Sequence, residues 1–205
     1  MAGVKPSKMQ SKAAATRARI IRAAYDLFCA TGYRATTMEA IGKQAGVAVQ
    51  TVYFNFRTKD ELLRAVHEWT VLGDDPVPPP LQPWHIAAMR EPDARNALAK
   101  IVAGVAQLNA RIAPMQSVFG AVSQEPAGEI YARSQELRRQ DMAALVAELR
   151  KKTPLRPGLT QRRAADLLYF LMGPESYGAF VLEAGWTERQ WVTWASETLN
   201  GQLFN

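Results

Sequence analysis

Cysteine, histidine and long apolar runs are all scarce in this chain of 205 residues. Its one cysteine, Cys29, excludes an internal disulfide framework and a cysteine-based zinc site. A single thiol of this kind suits a small core position on a helix and a reducing cytoplasm. Only two histidines are present, His67 and His85. No Gly-x-Ser-x-Gly elbow, phosphate-cradling glycine loop or His/Cys/carboxylate cluster accompanies them. No catalytic residue, metal ligand or cofactor is therefore expected, and the chain does not read as an enzyme. No apolar run approaches the ~20 residues of a membrane span. The longest, around Ala164–Pro174 and Tyr177–Ala184, are interrupted by Asp166, Pro174 and Glu175. The N-terminus turns polar after Met-Ala-Gly-Val-Lys, so a secretory signal is not expected and no membrane partner is implied.

With 48% apolar and 21% charged residues, the composition is that of an ordinary globular protein. Charge is unevenly placed. Residues 1–72 hold 11 basic and five acidic side chains, which accounts for the whole formal net charge of +6. The first 22 residues have six bases and no acid. A basic block joined to a small helical domain points to a polyanionic partner, and nucleic acid comes first. An anionic membrane fits less well, because residues 1–15 lack an aromatic or leucine face.

No repeat or period-2 pattern is visible, and the chain reads as all-α. Residues 1–14 are expected to be a basic flexible arm, 15–72 a helix-turn-helix DNA-binding domain, 73–83 a Pro-rich linker, and 84–205 a second helical domain. The first helix, about 14–31, places Ile20, Ala24, Leu27 and Phe28 on one face before Gly32. Thr36-Thr37-Met38-Glu39 reads as a capping box with Thr36 as N-cap. Helix 2 then runs to about Ala45, and Gly46 turns the chain. A short helix follows at about 49–55, with Val52 and Phe56 inward. Thr58-Lys59-Asp60-Glu61 reads as a second capping box opening helix 4, and Thr187-Glu188-Arg189-Gln190 as another at the start of the last helix. Beyond the linker, helices are expected near 84–89, from Pro92 to about Ile112, at 115–123, from Pro126 to about Lys152, at 160–184, and at 187–203.

Residues 37–56 have the spacing of a helix-turn-helix, with small Gly42 and Ala45 permitting close crossing. The outward face of helix 3 carries Val49, Gln50, Thr51, Tyr53 and Phe54, too apolar and aromatic for an ordinary wet face. Gln can pair with a base edge, Thr and Val can touch a thymine methyl, and Tyr can reach a phosphate. Phe54 could instead pack on helix 1. Lys59 and Thr37 stand at helix starts, where free N–H groups favour an anion, although a cap and a solvated lysine would look the same.

The segments Ile20–Phe28, Thr31–Ile41, Ala45-Gly46-Val47, Thr51–Phe56 and Thr58–Leu63 resemble the N-terminal domain of TetR-family transcriptional regulators, over about residues 15–69. The resemblance implies a three-helix helix-turn-helix DNA-binding domain followed by a helical ligand-binding and dimerisation domain. It implies a homodimer joined through the last two helices. The chain would be a sequence-specific transcriptional regulator, most often a repressor that a small effector releases from a palindromic operator in double-stranded DNA. Family DNA contacts fall by position on Thr37, Gln50, Thr51, Tyr53, Asn55 and Lys59, with the basic arm near Arg17 and Arg19. Two departures stand out: Ala48 occupies a position that is often Ser, and Asn55 one that is commonly His or Tyr.

The second half matches no motif. Leu167, Leu168, Phe170, Leu171, Phe180, Leu182, Trp191, Trp194, Leu199 and Phe204 supply apolar area for an interface or for a monomer core. An effector pocket is expected between the helices of residues 92–180. Its candidate lining is Met115, Phe119, Tyr131, Met142, Tyr169, Met172 and Tyr177, with Arg111 and Glu175 as the polar groups. Methionines and aromatics also fill ordinary cores. The rival readings are a DNA-associated helical protein that senses nothing and, more remotely, a small-molecule enzyme.

Overall fold

The computed structural model describes residues 8–74, 77–123 and 128–204, with side chains from Ser11 on. Helices and no strand make up the described residues. Helix α1 (Lys8–Thr31) begins earlier than expected, so residues 8–14 of the anticipated flexible arm are helical; residues 1–7 lie outside the described residues. Its face of Ile20, Ala24 and Phe28 is fully buried, each large side chain contributing roughly 1.5–3 kcal/mol.

The cap of α2 (Met38–Ala45) is Thr37, not Thr36. The Thr36 hydroxyl is engaged by the end of α1, donating to the Gly32 carbonyl at 2.8 Å. The Thr37 oxygen therefore accepts from the Ala40 N–H. This one-residue shift moves Glu39 out of capping-box position. Gly46 takes the left-handed conformation at φ 66°, and a Cβ on Gly42 would stand 3.1 Å from the Val47 carbonyl. Both glycines thus allow α3 (Val49–Asn55) to cross α2 tightly. Ala48 caps α3 without a side-chain bond, as its methyl dictates. Thr58 caps α4 (Lys59–Leu72) by accepting from the Glu61 N–H, while the Glu61 carboxylate reaches one residue further back, to the Arg57 N–H.

Within the 73–83 segment, residues 77–82 pack rather than dangle: Pro79–Leu81 form a 3-10 turn, and the Gln82 amide donates to the Val77 carbonyl. Helix α5 (Pro83–Met89) starts at a proline. Helix α6 (Ala94–Ile112) is capped by Asp93, which places Pro92 outside the helix. A 3-10 turn at Ala113–Met115 leads into α7 (Gln116–Ala121). The described part of the long helix is α8 (Gly128–Lys152); the anticipated start at Pro126 lies outside the described residues.

The single helix expected at 160–184 is in fact three pieces: α9 (Gln161–Leu171), α10 (Pro174–Tyr177) and a π-helical stretch, Gly178–Glu183. Pro174 has no N–H to continue α9, so the chain turns at Gly173 and restarts. The capping box at Thr187 forms as expected and opens α11 (Glu188–Leu203).

Two cores result. One is built from α1–α4 and also takes in Met115, Val118, Phe119 and Val122 from the segment after α6. The other gathers α5, α6, α8, α9 and α11 around Leu98, Leu168 and Trp191. Helix α4 lies against α1 on one side and α6 on the other, so it belongs mechanically to both halves. Among the described residues, no helix is long and apolar enough to cross a membrane.

Candidate nucleic-acid interface and effector cavity

The interface is set by what α3 buries and what it leaves out. Val52 is fully buried beneath the helix, and Phe56 closes its end. On the opposite side Phe54 is 90% exposed and Tyr53 47% exposed. Packing of Phe54 on α1 is thereby excluded. Gln50 is exposed beside them and Thr51 is half-buried. A large aromatic ring presented to water on a seven-residue helix has no role in holding the monomer together.

The remaining candidates surround that face. Arg17 lies over the Phe56 ring at 4.2 Å and donates to the Asn55 carbonyl at 3.3 Å, tying α1 to the end of α3. The Asn55 amide donates back to the Thr51 carbonyl. Arg19 and Thr37 are exposed. Lys59 is not a free cation: its ammonium donates to the carbonyls of Tyr33 at 2.8 Å, Thr36 at 3.0 Å and Arg34 at 3.5 Å, and stands over the Tyr33 ring. Tyr33 in turn donates its hydroxyl to Asp60. The start of α4 is thus locked to the turn between α1 and α2.

The second half encloses a cavity of about 370 Å³ between α4, α6, α8, α9 and the proline segment. Of the candidates named from the sequence, Tyr131, Met142, Tyr169 and Met172 line it. Five other candidates do not. Met115 and Phe119 are buried in the N-terminal core, Phe119 lying behind His67 and Tyr131 with ring centroids 5.1 and 4.7 Å away. Tyr177 is held in the C-terminal core, donating to Glu188. Arg111 turns toward α4, where its Nε donates to the Thr70 carbonyl at 3.0 Å. Glu175 stands one layer back and accepts from the Arg138 guanidinium at 3.1 and 3.2 Å.

His67, Asn109, Gln135, Arg138 and Asp141 also line the cavity and were missed. A signal for them was present: Tyr131, Gln135, Arg138 and Met142 recur at three- and four-residue steps, one face of α8. His67 and Val71 stand one turn apart on α4, so the helix that begins in the N-terminal domain ends as a cavity wall. Burial pushes the His67 imidazole down to about 4, so it is neutral near pH 7. Burial also raises Asp141.

The junction is braced. Arg22 of α1 pairs with Asp74 at 2.6 Å, and the Trp69 indole donates to the same carboxylate. Both partners hold Asp74 below the usual carboxylate range.

An α2–α3 corner with an outward aromatic and amide face, carried on a helical domain with a cavity, has the geometry of a helix-turn-helix. Residues 20–66 match the family model described as bacterial regulatory proteins, tetR family. The chain is 36% identical over 58 residues to the HTH-type transcriptional regulator UidR of Escherichia coli (strain K12), a match covering 28% of this chain and 30% of that one. It is 42% identical over 59 residues to the HTH-type transcriptional regulator SrpR of Pseudomonas putida, covering 29% and 28%. The match thus spans less than a third of either relative. In fold the likeness covers nearly the whole chain. The ketosteroid transcriptional regulator KstR2 of Mycobacterium tuberculosis superimposes with TM-score 0.63 at 16% identity, over 92% of this chain and 95% of that one. Salmonella enterica GusR does so with TM-score 0.59 at 21% identity, over 92% and 95%.

Proposed function

We propose that this chain is a sequence-specific transcriptional regulator, a repressor that binds a palindromic operator as a homodimer and is released by a small effector. The observation that carries it is the outward face of α3, where Phe54 and Tyr53 are exposed above a buried Val52. In this reading Gln50 pairs with a base edge, and Thr51 and Phe54 meet thymine methyls. Tyr53, Asn55, Thr37, Arg17 and Arg19 face phosphates. Lys59 holds the turn that presents Thr37. The exposed Phe170 and Leu182, with half-buried Leu167, Leu171 and Trp194, offer a second copy an apolar face on the last helices. A two-fold pair would set the recognition helices ~34–36 Å apart, one turn of duplex.

The cavity supports effector sensing over a purely DNA-associated protein, for which a closed C-terminal core would serve. An effector that binds the two states unequally shifts α4 through His67 and Val71 and changes the spacing of the two heads. No catalytic role is assigned, since the relatives that match are regulators. Binding-site selection on random duplexes at two salt concentrations, with sedimentation of the free protein, tests this. A symmetric site and a dimer are expected. A strictly monomeric chain, or one indifferent to every duplex, overturns it.

A further inference from the structure

The main cavity does not stand alone. A second chamber of about 200 Å³ lies against it between α5, α6 and α8. The two share Pro79, Pro80, Val105, Asp141, Met142 and Met172. Trp84, Met89, Ile101 and Leu145 give this slot an apolar side, while His85, whose buried Nδ1 has no partner among the described residues, and Glu148 line it too. Its partition from the main cavity includes two methionines, whose unbranched side chains move at little cost.

Arg138, in the lining of the main cavity, is different in kind. The Arg138 guanidinium stacks on the Tyr169 ring at 3.9 Å and donates to Glu175. Its Nε–H is buried and has no acceptor among the described residues. A buried donor left unmade is unfavourable, and an acceptor on a bound molecule removes that penalty. The charge pattern limits what the acceptor can be. Glu175 already pairs with Arg138 and Asp141 stands in the shared wall, although Arg139 also lies over the Tyr169 ring, at 4.5 Å. A further carboxylate would compete with the first and face the second.

We propose that the effector is an elongated neutral amphiphile. Its apolar chain passes Met142 into the slot against Trp84 and Leu145, and its carbonyl oxygen, as in an amide, ester or lactone, accepts from Arg138 Nε. This rests on the regulator reading above and specifies the ligand class of its cavity.

The full chain is titrated calorimetrically with butanamide, hexanamide, octanamide and decanamide, and with the matching carboxylates. Affinity is expected to rise about fourfold per methylene along the amides until the slot is filled. Each amide is expected to bind at least tenfold tighter than its carboxylate. Met142→Trp, which fills the partition, should abolish the gain from hexanamide to decanamide. Arg138→Lys keeps the charge opposite Glu175 but lacks Nε, and should weaken every amide about tenfold. Affinity independent of chain length overturns the proposal. So do carboxylates that bind as well as amides, equal losses for short and long chains in Met142→Trp, or no binding by any member. Duplex binding by the same preparation without added compound reports separately on the regulator reading.

Discussion

The Arg111 Nε on α6 donates to the carbonyl of Thr70 near the end of α4, at 3.0 Å. This bond satisfies a carbonyl in the last turn of α4, where intrahelical partners run out. It also places a cation at the negative end of the helix. It joins the last helix of the N-terminal domain to the central helix of the cavity domain.

Arg111→Met should remove that bond while keeping most of the apolar stem. The loss is expected to be about 1–2 kcal/mol in urea unfolding. Effector-driven release from DNA should weaken more than effector binding itself, because the bond lies between the sites rather than in either. Equal loss of both in paired binding assays would place Arg111 in the effector site instead.

Phe54→Ala should leave unfolding within ~0.5 kcal/mol of the parent, since the ring touches little in the monomer. Affinity for operator DNA should fall at least tenfold. Gln50→Ala should relax base preference at one position in each half-site by about 1–3 kcal/mol. Selection and fluorescence anisotropy measure both; unchanged affinity and preference would displace α3 from the duplex.

Lys59→Ala leaves three carbonyls of the α1–α2 turn without their ammonium partner. Destabilisation of about 1–3 kcal/mol is expected on thermal unfolding. DNA affinity should drop alike for operator and random sequence, with a change in salt slope of at most about one unit. A stable variant that loses only operator preference would show that Lys59 reads bases.

His67 sets a pH dependence. Its ordinary value is 6.5, and burial in the fold pushes it down to about 4. Between these values the unfolded chain holds a proton that the folded chain does not, so stability rises with pH through that window. The contribution is full above about pH 6.5 and lost as pH falls to 4, on the order of 3 kcal/mol. His67→Phe should flatten the dependence in denaturant titrations from pH 7.5 to 4.5. An unchanged slope would assign it to another group.

Much of the DNA-binding half was legible along the chain because its signals are local. Glycine at position 46, threonines at 58 and 187 and the apolar spacing of Ile20, Ala24 and Phe28 act within one or two turns, and the helices form where those residues put them. The Thr36/Thr37 cap was misplaced by one residue. Two adjacent hydroxyls compete for the same helix start, and only the end of α1, which engages Thr36, decides between them. The break at Gly173 was a local signal outweighed by the strong apolar run on either side of it.

The cavity was legible only in part. Tyr131, Met142, Tyr169 and Met172 are the right kinds of residue, but so are Met115, Phe119 and Tyr177, and all seven look alike in composition. Which of them faces the void depends on how α4, α6, α8 and α9 lean on one another, a relation between residues up to about a hundred positions apart. The amino-acid order alone determined a helical chain with a basic, glycine-turned helix-turn-helix corner, since periodicity, caps and charge are short-range properties. Tertiary packing alone decided that Arg111 and Lys59 would serve as ties, that His67 would be a cavity wall and that Arg138 would keep an unmet donor. A polar side chain's partners are chosen by whichever elements close around it.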